Sequence, residues 1–394
     1  MTTVKDIDIA VFGATGFTGQ LIAEYLGQQD GVKVAIAGRN GDKLTKVKSD
    51  LGLSEDTETI VADASDKSAL TELARRAQVV IAAAGPYQHY GENLIAACAE
   101  EGTDYLDLCG ESNWIRAMID KYDATAKASG ARIINSSGFD SIPSDLGILH
   151  LQNLAAKHQK QPFTRVKGRV EAMQGVASGG TVASIMAEMG VAAQDPAVAE
   201  LIGSPYALAP GFAGPEQPDG DSVKFDEDLN SWAAPFIMAA INTKTVHRSN
   251  FLQSHRYGTD FGYDEMTMTG PGDEGKELAT QMADPGAMLN PEGGPPQPGE
   301  GPSPEEREAG HFTIAYHGTN SADQYGLVRV SGFQDPGYGC TSKMISQAAL
   351  CLLKDDVETA GGFWTPATGL GEKLVDRLGD TGVLKFETEV STNS

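Results

Sequence analysis

Three glycines spaced three apart, Gly13, Gly16 and Gly19, follow the apolar run 7–12 in the stretch GATGFTG. That spacing after a strand suits a loop that holds phosphate. Gly13 permits a tight turn, Gly16 lets a pyrophosphate approach the backbone, and Gly19 lets the next helix pack close to the sheet. Thr15, Phe17 and Thr18 complete the loop, and the helix they open offers free N–H groups and a positive dipole end to an anion. The second apolar run ends in Gly38-Arg39-Asn40. An NAD enzyme commonly carries Asp or Glu there to hold the ribose 2′-hydroxyl. Arg39 suits a 2′-phosphate instead, because a guanidinium takes a phosphate bidentately and a carboxylate would repel it. The expected cofactor is therefore NADP. Asp63, after the third run, is expected to cap a helix or to contact the adenine end.

A second group of chemistry-bearing residues follows the fourth run, in Gly85-Pro86-Tyr87-Gln88-His89-Tyr90-Gly91. Ligands of an open α/β sheet bind beyond the carboxyl ends of its strands. Gly85, Pro86 and Tyr87 are thus expected beside the nicotinamide ribose. Tyr87, His89 and Tyr90 are the candidate proton donors of a reduction. The fifth run ends in Asp107 and Glu111, and the sixth opens into 135–145. There Ser141 reads as a helix N-cap, with Pro143 and Asp145 in the first turn. Asp140 and Ser141 are candidate substrate contacts, or else only brace that helix. Farther on, Asn242, Arg248 and Ser249 are expected to orient substrate, unless they form the polar face of an amphipathic helix.

The elements that must position these residues alternate. Strands are expected at 7–12, 33–37, 58–62, 78–84, 103–107 and 131–135, with helical periodicity between them. Right-handed crossovers then give a doubly wound parallel sheet, a Rossmann domain over residues 1–140. After Pro143 the rhythm changes. A helix at 143–158, a strand at 164–174, a helix from 181 and another over 235–252 belong to a second α/β domain spanning 141–340. Residues 266–304 are rich in Gly, Pro and acids and read as a flexible insertion. Strands at 311–317 and 325–332 follow. A C-terminal segment, 341–394, carries helices at 341–354 and 366–378 and a strand at 383–389.

Composition narrows the function. The formal net charge of −24 argues against broad binding to nucleic acid or anionic membranes. Four cysteines lack CxxC spacing, so neither a zinc site nor a disulfide framework is expected, and no metal is assigned. No apolar run is long enough to span a bilayer, and a strand at residue 7 leaves no room for a signal peptide, so a cytoplasmic protein is expected. A Tyr-xxx-Lys pair, a GxSxG elbow and an HExxH pair are all missing, which sets aside short-chain dehydrogenase, serine hydrolase and zincin chemistry.

GATGFTG, Ala37-Gly38-Arg39, the stretch 82–111 and GFDSIPSDLG (138–147) together resemble the saccharopine dehydrogenase-like oxidoreductase family, especially its bacterial branch of trans-acting enoyl reductases. The resemblance continues through 234–250, 337–353 and 361–378. It implies an NADP-binding Rossmann domain, a second α/β domain that closes over the nicotinamide, and a helix near 341–354 that returns to the first domain. It also implies reduction of a C=C (enoyl) or C=N bond in a small or lipid-derived substrate, in a homodimer joined through the second-domain sheet. An imine substrate with several carboxylates calls for an arginine cluster, for which Arg165, Arg169, Arg248, Arg256 and Arg329 are available. The alternative is an NADPH-binding sensor or lipid-associated scaffold without turnover.

Overall fold

A computed structural model describes residues 5–175, 179–284 and 300–390. Strands β1 (Ile7–Phe12), β2 (Val34–Gly38), β3 (Glu58–Val61), β4 (Ala77–Ala82), β5 (Asp104–Asp107) and β6 (Arg132–Ile134) lie within two residues of their expected bounds. Every pairing among them is parallel, in the order β3-β2-β1-β4-β5-β6. β1, β2 and β4 are almost wholly buried because helices cover both faces of the sheet. The sheet reverses its winding between β1 and β4, and a crevice opens at that point beyond their carboxyl ends.

The second sheet is mixed. It contains β7 (Arg165–Gln174), β8 (Lys224–Asp226), β9 (Ser231–Pro235), β10 (Gly262–Gly270), β11 (His311–Thr319) and β12 (Tyr325–Gly332). β7 and β10 pair in parallel at its centre, and the other neighbours are antiparallel. Helix Ile142–His158 links the two sheets and is buried along eleven of its residues. Gly147 lets it lie directly on β11, since a Cβ there would stand 2.5 Å from the Tyr316 ring.

The C-terminal segment divides between the two sheets. Helix Thr341–Lys354 packs on helix Phe17–Gly27, where the Gln347 side-chain amide donates to the Tyr25 hydroxyl at 2.7 Å. β13 (Gly362–Trp364) then extends the first sheet in parallel beside β6. β14 (Leu384–Val390) closes the edge of the second sheet, antiparallel to β12. Apolar residues of both sheets and of these helices form one continuous core.

Two expectations need correction. The first part of the 266–304 stretch is ordered structure: β10 runs to Gly270, and helix Gly272–Met282 follows a turn with Gly270 and Gly272 at positive φ. Its Gly-Pro-Gly turn and acidic composition hid a helix that buries only Gly275 and Ala279. Residues 285–299 of that stretch lie outside the described residues. The helix expected from Pro235 begins instead at Ala239, because Ser231–Pro235 pairs with β10 as a strand. No described helix is long and apolar enough to cross a membrane.

Candidate active site

The glycine loop follows β1. Gly13 adopts φ +88°, a conformation that favours glycine. A Cβ on Gly19 would stand 2.3 Å from the Gly13 carbonyl oxygen, so only glycine lets helix Phe17–Gly27 start this close to the turn. Gly16 occupies its N-cap without a side-chain cap, which leaves first-turn N–H groups for an anion. Thr15 lies about 4 Å from where a Cβ on Gly38 would project, next to the end of β2. There Arg39 is exposed and makes no ion pair among the described residues. Asn40 caps the following helix, accepting the Lys43 amide at 2.9 Å. Cradle and free guanidinium together fit a dinucleotide with a 2′-phosphate. Asp63 forms a turn instead of capping a helix: its carboxylate accepts the Ser65 amide and hydroxyl at 2.9 and 2.6 Å. The cap of the next helix is Asp66.

Beyond β4, Tyr87 is held from three sides. Its hydroxyl donates to the Ala82 carbonyl at 2.9 Å and accepts the Leu108 amide at 3.0 Å. Its own amide donates to Glu111 at 2.7 Å, and the Gln88 amide donates to the other oxygen of that carboxylate at 2.9 Å. Burial pushes the Tyr87 phenol well above its ordinary pKa, and the nearby Asp107 carboxylate adds to this. With both hydroxyl functions satisfied by backbone, Tyr87 fixes the Gly85-Pro86 segment and is not free to donate a proton to a ligand. His89 and Tyr90, the other donor candidates, are exposed and do not line the central cleft.

One aspartate ends β5 and another lies beyond β6. Asp107 is fully buried and accepts the Cys109 amide at 3.1 Å, the Asn135 side-chain amide at 2.7 Å and the Ser136 amide at 2.9 Å. It therefore ties two strand ends together; burial raises its carboxyl to about 6, while these donors oppose the shift. Asp140 differs. Its carboxyl has no hydrogen-bond partner among the described residues, and it lines the cleft. Enclosure by protein, with the Asp107 charge nearby, raises it to about 7, although the cleft leaves it partly accessible. An acid of that strength holds a transferable proton at neutral pH.

The remaining candidates turn inward. Ser141 stands at the N-cap of helix Ile142–His158, yet its buried hydroxyl makes a long contact with the Thr245 hydroxyl, 3.4 Å away, in place of a cap. Asn242 donates to the Glu265 carboxylate at 2.8 Å. Arg248 donates to the Leu208 and Phe363 carbonyls at 2.6 and 2.8 Å, and burial lowers its pKa to about 10. Ser249 bonds Asp145 and Thr365, and Asp145 also accepts the Ala367 amide at 2.7 Å. Asn242, Arg248 and Ser249 thus join helix Ala239–Leu252 to its neighbours, and none of them lines the cleft.

The cleft itself lies between the carboxyl edge of the first sheet and the second domain, and holds about 1280 Å³ with its open mouth included. Thr18, Gly85, Leu108 and Asp140 form its floor. Its walls are mostly apolar, with Met173, Ile185, Phe236, Met238, Ile241 and Pro336, and Thr181, Ser184, Glu188 and Thr341 add polar side chains. No lysine or arginine lines it among the described residues. The five arginines available for a carboxylate-rich substrate are engaged elsewhere. Arg165 pairs with Asp264, Arg169 with Asp226 and Asp264, and Arg329 with Glu171 and Glu389. Arg256 donates to Asn153, and Arg248 is bound as described above. Sequence reasoning missed Glu111 as the anchor of the Tyr87 loop, and it missed Ser184, which donates to Glu111 at 2.7 Å. No residue spacing signalled that contact, 73 positions apart.

Residues 9–134 match the family described as saccharopine dehydrogenase NADP binding domain. Over 99% of both chains, the protein is 38% identical to a putative trans-acting enoyl reductase of Mycobacterium tuberculosis. It is 36% identical to a trans-acting enoyl reductase of Mycobacterium ulcerans, over 98% of this chain and 99% of that one. Among solved structures, apo saccharopine dehydrogenase (L-Glu forming) from Saccharomyces cerevisiae shares the fold at 11% identity. Its TM-score is 0.50, over 98% of this chain and 100% of that one.

Proposed function

Because the chain belongs to the saccharopine dehydrogenase-like, NADP-binding oxidoreductases, in the branch whose mycobacterial members are named trans-acting enoyl reductases, we propose that it reduces the C=C bond of a lipid-derived enoyl substrate. The observation that carries this reading is the largely apolar cleft, which no lysine or arginine lines among the described residues. A substrate with several carboxylates would leave those charges unpaired in an apolar site, at a cost of several kcal/mol on the order of that for a buried unpaired ion. An acyl chain would gain about 25 cal/mol for each Å² of apolar surface it buries against Phe236, Met238 and Ile241.

NADPH held by the glycine loop would supply the hydride for one carbon of the double bond. Asp140 is the proton donor to the other, since its carboxyl faces the cleft without a competing partner. Donation leaves a carboxylate, which regains its proton from solvent through the mouth of the cleft. Tyr87 and Glu111 fix the Gly85-Pro86 loop, which would lie beside the nicotinamide. Phe139 and Phe236, packed edge to face at 6.4 Å, give the cleft an apolar surface next to Asp140.

The test is a substrate screen that follows NADPH absorbance. Enoyl thioesters of increasing chain length should be consumed, with kcat/KM rising as the chain lengthens. Consumption only with keto acid and amine pairs would overturn the reading in favour of imine reduction. No consumption with either class, despite tight NADPH binding, would favour a cofactor-binding protein without turnover.

A further inference from the structure

The glycine loop, the expected seat of the NADP phosphates, is covered from the second domain. Phe17, the first residue of the helix after the glycine turn, meets Tyr338 edge to face at 4.9 Å. On another side a Cβ on Gly301 would stand 2.4 Å from the Phe17 ring, so the strap after residue 300 lies directly on it. The Arg307 guanidinium is stacked over the same ring, 5.6 Å from its centroid.

This arginine is built into position. Ser303 and Glu306 form a capping box that fixes the short helix Pro304–Ala309. The Arg307 carbonyl accepts the Asp335 amide at 2.9 Å, and Gly310 lets the strap close on Asp335, whose backbone a Cβ would meet at 2.4 Å. Yet the guanidinium makes only one hydrogen bond among the described residues, to the Pro302 carbonyl at 2.8 Å. It pairs with no carboxylate among them. Glu306 accepts the Ser303 amide at 2.8 Å, and Glu305 and Glu308 are exposed; Asp335 is near enough to feel the Arg307 charge, but its carboxylate oxygens accept the Tyr338 and Gly339 amides. In a chain of net charge −24, a held but unpaired arginine beside a phosphate loop calls for an anion.

We propose that Arg307 is a pyrophosphate ligand delivered by the second domain, so that the dinucleotide is clasped between the glycine loop and the 301–310 strap. Phe17 is the platform that orients the guanidinium. The role differs from that of Arg39, which stands at the end of β2, the place where dinucleotide folds of this kind hold the ribose 2′ position. It rests on the nucleotide site alone, and would stand if enoyl reduction failed.

Binding experiments on the full chain separate the two arginines. Arg307→Ala should weaken NADPH, NADH and ADP-ribose alike by about tenfold or more, the worth of a charge-assisted hydrogen bond, and leave 2′-AMP unchanged. Arg307→Lys should recover part of the loss. Unchanged affinity for all four probes would overturn the proposal, as would a loss confined to NADPH and 2′-AMP. If the variant misfolds, the wild-type chain decides. ADP-ribose should protect Arg307 from phenylglyoxal, read by peptide mass mapping, and 2′-AMP should not. Equal labelling with and without ADP-ribose would equally refute it.

Discussion

The Ser184 hydroxyl donates at 2.7 Å to the same Glu111 oxygen that accepts the Tyr87 amide. One buried carboxylate thereby joins a helix of the second domain (Gly179–Ala192) to the loop after β4. One turn on, Glu188 repeats the link by accepting the Ser112 hydroxyl at 2.8 Å. Two carboxylates thus tie the helix that lines the cleft to the loops after β4 and β5.

Glu111→Ala leaves the Tyr87 and Gln88 amides without their acceptor. It should lower stability by about 2–3 kcal/mol in urea unfolding, whereas Ser184→Ala should cost only about 1 kcal/mol, because a solvated hydroxyl bond is easily replaced. NADPH affinity should fall in the first variant and hold in the second. Equal, small effects would show that Glu111 does not anchor the loop.

For Asp140→Asn the expectation is a fall in kcat of about 10²- to 10⁴-fold, with NADPH affinity unchanged. In the wild type, kcat should be level at acid pH and fall as pH rises through about 7, where the donor loses its proton. A stability readout runs alongside. The folded pKa lies above the unfolded value, so the contribution of Asp140 is present at low pH and lost as pH rises through about 7. Asparagine should therefore stabilise the chain at pH 8 and do little at pH 4. Retained kcat would assign the proton to another group.

Arg39→Ala should weaken NADPH by about tenfold or more and leave NADH unchanged, since only the 2′-phosphate is lost from its reach. Isothermal titration with both cofactors measures it. Parallel losses would move the 2′-phosphate contact elsewhere.

Arg248→Met removes donors from two buried carbonyls. Thermal unfolding should show a loss on the order of 2–4 kcal/mol, with KM for any reduced substrate unchanged in the protein that folds. A raised KM at full stability would return Arg248 to substrate binding.

Local rules made the first domain readable. β1, β2 and β4 are apolar runs between glycine turns and amphipathic helices, and that alternation permits little except a parallel, doubly wound sheet. The backbone of the glycine turn was legible for the same reason, because the geometry at Gly13 and Gly19 depends on neighbours in sequence. β13 was not legible, because three residues carry no periodicity and gain their place only by pairing with β6.

The direction each polar side chain faces depended on the tertiary structure. Tyr87, Asn242, Arg248 and Ser249 have the residue types of a reactive site, yet their hydrogen bonds go to backbone and to buried neighbours. In sequence Asp140 was a candidate substrate contact that could equally have served, like Asp145, only to brace the helix. In the fold, Asp145 is satisfied by Ser249 and Ala367, while Asp140 faces the cleft without a partner. The physical reason is that a strand or turn is specified by residues a few positions apart. A buried side chain's partner is instead chosen by which distant segment packs against it, 104 positions away for Asp145 and Ser249.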